Sequence, residues 1–437
     1  MTDVLFLAYH FPPVGGGGVQ RNLGMVRHLA PLGYRSIVIT GTERPRGHWA
    51  PEDASLLETL PPETEIHRLP GPQPPDSGVW RSRLERRLLL RPPFTSWWLE
   101  GALQAGREHG RGADLVYASL IPYDTAETAV RLARELRKPL VVDLQDPWAL
   151  DEMWLYPTEL HRRVDLRRMR RALEAADAVV MNTPEAVRRV RDEFPSLADK
   201  PVVSITNGFD PADFAGPAPR RDDGAFRIVH TGYLHTADGL RLRRVRRLRK
   251  VLGGTYADVD ILTRSHVYLL EAIGRLLDEE PALASELELH LAGVLTPEDR
   301  RVAATSPVVR MPGYLDHGAS VALVRSADLL FLPMQALPAG MRAGLVPGKT
   351  YEYLASRRPI LAAVPEGDAR DLLREAGSAF LAAPADVDAL AGILTEQLER
   401  WRRGERAREP RPEVVARYER PARARLLADL FSEILRR

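Results

Sequence analysis

Short runs of apolar residues alternate along the chain with longer stretches in which apolar positions recur every three or four residues. The runs are too brief for helices and too evenly apolar for strands with one wet face. They predict strands buried on both faces of a parallel sheet. Val4-Leu5-Phe6-Leu7-Ala8-Tyr9 is the first, followed by 36–41, 65–69, 113–119, 139–144, 178–183 and 201–205. Helical spacing lies between them, clearest at Leu23, Val26 and Leu29 before Gly33, and over 126–136. Asn207-Gly208 signals a turn, and the segment after it, DPADFAGPAPRRDDGA, has the Pro, Gly and Asp content of a linker. The alternation then restarts, with strands at 226–231, 287–292, 308–313, 327–333 and 359–364 and helices over 267–277 and 350–355. Between Gly232 and Val267 an irregular basic insertion precedes the helix, and 411–437 is amphipathic and helical with no strand to serve. Strand and helix alternating on both sides of a linker predict an α/β protein of two parallel-sheet domains.

In such sheets ligands bind at the carboxyl ends of the strands, so the loops there carry the candidate chemistry. The first strand runs into His10-Phe11-Pro12-Pro13-Val14 and then four glycines, Gly15 to Gly18. Ordering four glycines is costly, which makes sense where a ligand must approach bare backbone. The spacing is neither the dinucleotide fingerprint nor a P-loop. The strand at 139–144 ends in Asp143-Leu144-Gln145-Asp146-Pro147-Trp148, where Asp146 either caps a following helix or faces a substrate. The strand at 327–333 leads into a loop holding Gly340, Gly344 and Gly348, then Lys349-Thr350-Tyr351-Glu352. Lys349 and Glu352 share one face of a helical first turn, where a cation neutralises phosphate and a carboxylate accepts from ribose hydroxyls. The plainer alternative is a solvated lysine and a favourable first-turn acid.

Composition sharpens this picture at a few points. Of 61 Lys and Arg residues only Lys138, Lys200, Lys250 and Lys349 are lysine, so a lysine in a glycine loop suggests that a compact point charge is needed there. The arginine richness itself fits a GC-rich bacterial genome. A length of 437 residues asks for two or three domains. A net charge of +2 gives no general argument for nucleic acid, and the absence of cysteine excludes disulfides, thiolate metal sites and cysteine nucleophiles. With neither a signal run nor a membrane-length apolar window, a cytoplasmic enzyme is the expectation. The segment 80–98 interleaves arginines 81, 83, 86, 87 and 91 with leucines before Trp97-Trp98, which suits an anionic membrane surface or a helix packing on the core. Seven cations between Arg241 and Lys250 read as a solvated helical face or an acidic-partner patch, and Asp258-Val259-Asp260 is a weak metal motif.

Six segments in order, FPPVGGGGVQR, DLQDPW, ADAVVMNTPEAVRRV, NGFDPADF, HTGYL and PGKTYEYLASRRPIL, resemble the GT-B glycosyltransferases of family 4 over nearly the whole chain. The resemblance implies the GT-B fold, two Rossmann-like domains facing an interdomain cleft. It implies an acceptor-binding domain over 1–210, a linker over 211–225, a nucleotide-sugar-binding domain over 226–410, and a C-terminal helix, 411–437, that crosses back to the first domain. Family members move a sugar from a nucleotide diphosphate sugar to an acceptor hydroxyl, with retention and without metal or cofactor. Carried onto this chain, Gly15, Gly16, Gly17, Gly18, Gly232, Arg264, Gly344, Lys349 and Glu352 would bind the donor. Gln20, Arg21, Ser119 and Tyr123 would meet the acceptor, and Asp146 or His10 would orient the reacting groups. The family's glutamate pair is incomplete: Glu352 matches the second, while Gly344 stands where the first would be. Gln145 replaces an arginine of the closest subgroup. The acceptor would be a glycan, a lipid-linked sugar or a secondary metabolite, with peripheral membrane contact through 80–98. A nucleotide-sugar 2-epimerase of the same shape and a non-catalytic nucleotide-sugar-binding scaffold are the alternatives.

Overall fold

A computed structural model describes residues 1–42, 52–72, 74, 84, 85, 87–154, 156–251 and 258–437. Arg81, Arg83 and Arg86 of the basic segment, and 252–257 of the basic insertion, lie outside the described residues. The chain divides into two units, Met1–Gly208 with Arg420–Arg437, and Phe209–Glu419.

The first unit is built on strands β1 (Thr2–Leu7), β2 (Tyr34–Thr40), β3 (Glu65–Arg68), β4 (Leu115–Ser119), β5 (Leu140–Leu144), β6 (Ala178–Met181) and β7 (Val202–Ser204). They form one sheet in the order β3-β2-β1-β4-β5-β6-β7, every pair parallel. The evenly apolar runs have their cause here. Successive side chains of a strand point to opposite faces, and both faces are covered. Leu5 and Leu7 enter a core with Val116, Val142 and Trp98. Val4 and Phe6 enter another with Tyr117, Val141 and residues of the C-terminal helix. That helix, Arg420–Arg436, packs against Gly17–Leu29, with Leu427 and Phe431 fully buried and the Tyr34 hydroxyl donating to Ala428 O at 3.0 Å.

The second unit carries β8 (Phe226–Thr231), β9 (Leu287–Ala292), β10 (Val309–Gly313), β11 (Leu329–Pro333), β12 (Ile360–Ala363) and β13 (Ala379–Ala382). The order is β10-β9-β8-β11-β12-β13, again all parallel. Ile228, Leu289, Phe331 and Leu361 fill one face, and Val229, Leu330, Leu332 and Ala362 the other.

In both sheets the strand order reverses at one place, between β1 and β4 in the first and between β8 and β11 in the second. Such a reversal parts the loops beyond the carboxyl ends of the two central strands and leaves a crevice. His10 and the glycine run follow β1, and Ser119 closes β4. Gly232 follows β8, and the segment holding Gly344 follows β11.

Three elements differ from the sequence reading. The supposedly irregular insertion contains a helix, Thr236–Val251, whose apolar rhythm is obscured by arginines. Gly239 of this helix lies so close to Leu262 that a Cβ would sit 2.4 Å from its Cα. Strand β13 escaped notice because four residues with one buried position make too weak a signal. After the basic segment, Pro93–His109 forms a helix that buries Trp98, Leu99 and Leu103. Trp98 is therefore a core residue, its indole N–H donating to Thr125 Oγ1 at 2.9 Å.

Candidate functional site

In the second unit the site begins where β8 stops. Gly232 has φ +101°, a left-handed conformation that glycine adopts without the Cβ penalty, and its N–H donates to Ala292 O at 2.8 Å. A Cβ here would stand 3.0 Å from Lys349 Nζ, so the lysine ammonium rests directly over bare backbone. The ammonium donates to His230 Nε2 at 3.1 Å. His230 Nδ1 lies 3.0 Å from Phe331 O, and a carbonyl only accepts, so the ring carries its proton on Nδ1 and offers Nε2 as acceptor. Burial, then the neighbouring Lys349 charge, pushes the His230 pKa well below its ordinary value and keeps the ring neutral.

The helix Lys349–Ala355 is anchored to the same strand end. Tyr353, fully buried, accepts the Thr231 N–H on its hydroxyl at 3.0 Å. This docking sets where Lys349 points. Its pKa is pulled down to about 7, first by burial and next by repulsion from Arg264, with Glu352 acting in the opposite direction. Among the described residues no carboxylate lies within ion-pair distance of Lys349.

Arg264 arrives from a turn, Ile261–Thr263, that is stitched to the segment after β11. Thr263 Oγ1 accepts from Ala336 N at 2.7 Å, and Arg264 Nη1 donates to the buried Gln335 Oε1 at 3.4 Å. The His235 N–H donates to Arg264 O at 3.1 Å, which draws the loop after β8 to the same place. Burial first, then Arg264 and Lys349, push the His235 pKa down to about 2, so it too is neutral. Gly232, Arg264, Lys349 and Glu352 are thus brought together, and the field they share is positive. Gly344 is buried in the segment beyond β11, beside Ala343, whose N–H donates to Glu366 O at 2.8 Å.

His230, His235 and Gln335 were not singled out from sequence. His230 alone has a visible signal, polarity at an interior position of a strand, whereas His235 and Gln335 lie in the loops beyond β8 and β11. The acidic pair Asp258 and Asp260 is occupied by arginines, Asp258 by Arg246 at 3.0 Å and Asp260 by Arg243 at 2.5 Å. Metal-capable side chains converge elsewhere, at Glu65, His67 and His109 in the first unit.

In the first unit the glycine run is partly helical: Gly16, with φ 101°, caps a helix that starts at Gly17 and carries Gly18, Gln20 and Arg21 in its first turns. Gln145 Nε2 donates to Gly18 O and Ser119 Oγ, both at 3.2 Å, and so ties the ends of β4 and β5 to this turn. Arg21 points inward. Its guanidinium meets Asp143 at 2.9 and 3.0 Å, Ile205 O at 2.8 Å and Asn207 Oδ1 at 3.2 Å, with both charged side chains at or below 1% exposure. Tyr117 also donates to Asp143.

His10 is partly exposed at the end of β1, packs edge-on against Tyr9 at 4.7 Å, and is held neutral by burial, which lowers its pKa to about 4. Pro147 stands at the N-cap of the short helix Trp148–Leu150, and the Trp148 N–H donates to Asp146 O at 2.8 Å. Trp148 sits at φ 47°, uncommon for a bulky residue, and stacks on Tyr123 at 5.0 Å with the planes 3° apart. Burial, then the charges of Asp146 and Asp151, raise the Tyr123 pKa well above its usual value, so its hydroxyl stays protonated. Asp146 and Tyr123 are therefore electrostatic neighbours, and Ser119 is tied to Gln145, the residue before Asp146.

The family described as "Glycosyl transferase 4-like domain" matches residues 16–208, and "Glycosyl transferases group 1" matches 260–400. No curated protein matches the chain by sequence. Among solved structures, sucrose-phosphate synthase from Thermosynechococcus elongatus is similar with TM-score 0.65 and 16% identity, over 99% of both chains. HepE of Anabaena, in complex with UDP and glucose, gives 0.59 and 16%, over 99% of this chain and all of that one. A protein of Listeria monocytogenes classed as a UDP-N-acetylglucosamine 2-epimerase gives 0.54 and 14%, over 99% and 96%. At these identities the structures establish the two-domain fold and nothing finer.

Proposed function

We propose, on the premise that this chain belongs to the GT-B glycosyltransferases, that it transfers a sugar from a nucleoside diphosphate sugar to an acceptor hydroxyl with retention and without a metal. The observation that carries this reading is Lys349, a desolvated cation beside a second cation, over a bare glycine and, among the described residues, with no carboxylate at ion-pair distance. Two cations crowd together at a cost that an anionic ligand relieves. A diphosphate has the charge and the size.

In this proposal Arg264 and Lys349 hold the donor's phosphates, with Gly232 and Gly344 allowing backbone approach and Glu352 accepting from the ribose hydroxyls. As the bond between the anomeric carbon and the phosphate oxygen breaks, charge grows on the leaving diphosphate. Both cations are already fixed where it grows, so little reorganisation is needed at the moment of reaction. His230, through its neutral Nε2, steadies the ammonium. The acceptor oxygen forms the new bond on the same sugar face, and its proton passes to the departing phosphate oxygen. Gly15, Gly16, Gly17 and Gly18 present backbone to the donor from the first unit. Asp146 and the neutral His10 orient the acceptor hydroxyl, and Gln20, Ser119 and Tyr123 contact the acceptor. Arg21 supports them from its buried ion pair.

Contact with an anionic membrane surface belongs to the same proposal. Leu88, Leu90, Leu160 and Trp154 are 58%, 56%, 61% and 45% exposed, and His161 joins the two segments through Arg87 O at 3.1 Å. No helix among the described residues is long and apolar enough to cross a membrane.

The test is a thermal-shift screen of nucleoside diphosphates and their sugars, followed by acceptor-dependent release of free nucleoside diphosphate. A shift that is lost in Lys349→Met supports the donor site. Isomerised nucleotide sugar in place of a glycosylated acceptor would favour the epimerase reading.

A further inference from the structure

Glu65 opens the edge strand β3, His67 follows two residues later on the same face, and His109 ends the helix Pro93–His109. Their potential ligand atoms all lie within 4.8 Å of one another. His67 Nε2–H donates to Glu65 Oε1 at 2.6 Å, and the two imidazoles lie face to face, centroids 3.4 Å apart and planes 11° off parallel. None of the three takes part in the site described above. They sit on the flank of the sheet, toward the start of an edge strand, whereas His10, Gln145 and Asp146 follow the carboxyl ends of β1 and β5.

We propose that Glu65, His67 and His109 form a site for a Zn2+-class ion that staples the edge strand β3 to the C-terminal end of the helix Pro93–His109. Two imidazole nitrogens and one carboxylate oxygen, with the remaining position open to water, are a donor set that zinc and its late first-row neighbours prefer over magnesium or calcium. Two nitrogens bound to one zinc at about 2.0–2.1 Å stand about 3.3 Å apart in tetrahedral geometry. The potential ligand atoms, all within 4.8 Å of one another, need only a modest approach to reach that spacing. Parallel rings aim their lone pairs side by side, so loading requires the rings to fan apart about their side-chain torsions. The side chains of His67 and His109 are 22% and 29% exposed, which leaves room for that rotation. The proton shared between His67 and Glu65 leaves as the ion enters. Glu108, whose carboxylate is 3.9 Å from His109 Nε2, is placed to receive a hydrogen bond from the second nitrogen of a ligating ring. Arg35, whose charge also acts on Glu65, is itself held by Asp3 at 2.9 Å.

The location gives the ion a structural task. An edge strand is hydrogen-bonded on one side only, and β3 is short, with an exposed first residue and no buried position. A ligand that binds only the folded arrangement stabilises it by mass action.

The experiment uses the tag-free full chain stripped with chelator and titrated with ZnCl2 by calorimetry, beside His67→Gln, His109→Gln and, as a control on a helix outside the cluster, His28→Gln. The expected result is one saturable site per chain, weakened at least about tenfold by either of the first two changes and unaffected by the third. Zinc should also raise the melting temperature of the wild type and not of the two variants. Matching far-ultraviolet circular dichroism of the metal-free proteins guards against misfolding as the cause. Absence of saturable binding to the wild type overturns the proposal. So does binding that survives either His67→Gln or His109→Gln.

Discussion

Lys349 offers a sharp test because its protonation should set the affinity for a nucleoside diphosphate. Its pKa in the free protein is about 7, held down by burial and by Arg264. A bound diphosphate favours the charged form, so the pKa in the complex is higher than in the free protein. Each complex formed above pH 7 must then take up a proton. The charged fraction of the free lysine falls from about one half at pH 7 to about a tenth at pH 8, so the dissociation constant should rise about fivefold, roughly 1 kcal/mol. Affinity thus weakens as pH rises. The phosphate's own second ionisation lies near pH 6 and changes little over this interval, and what change remains acts in the opposite direction. UDP is a suitable probe. Calorimetry at pH 8 in two buffers of different ionisation heat should report uptake of about 0.9 proton per UDP bound, against about half a proton at pH 7. Lys349→Met should abolish the uptake, flatten the pH dependence and weaken binding at pH 7 by about tenfold or more. Equal wild-type affinities at pH 7 and pH 8 with no proton exchanged would refute the argument from Lys349.

The same lysine should trade stability for binding. An unfolded lysine binds its proton more tightly than the native one, so the stability of the ligand-free chain should climb with pH between about 7 and 10, and Lys349→Met should raise it by about 1–2 kcal/mol at pH 7 in urea titrations. Gly232→Ala adds a Cβ 3.0 Å from Lys349 Nζ at φ +101°, so it should strain the backbone by about 1–2 kcal/mol and weaken UDP binding with it. Unchanged UDP affinity in that variant would mean the ammonium does not depend on this approach. Asp143→Ala leaves Arg21 charged and buried without its partner, and should destabilise the protein by about 3–5 kcal/mol as read by denaturant unfolding. Phe431→Ala opens a cavity between the C-terminal helix and Tyr34 and Tyr117, with an expected loss of about 3–5 kcal/mol.

The sheets were legible in the sequence because a parallel strand covered on both faces must be apolar at every position. Val4 to Leu7 and Leu329 to Leu332 satisfy that demand locally. Gly232 and the PGKTYEYLA segment were legible too, since a glycine at a strand end and a cation in a glycine loop are local signals. The helix Thr236–Val251 was not, because an arginine-rich helix carries its apolar surface partly on side-chain stems that a residue-type pattern does not count. Nor could sequence say which way Arg21 points. It sits three residues after the glycine run, yet its partners Asp143, Ile205 and Asn207 lie far along the chain, and only the sheet order brings them to it. The contacts of Lys349 with His230, and of His67 with His109, have the same origin. Composition and periodicity determine what each segment becomes, because backbone hydrogen bonding and burial act over a few residues. Which side chains then meet, and therefore which of them change charge, is decided by register and helix docking across the whole unit.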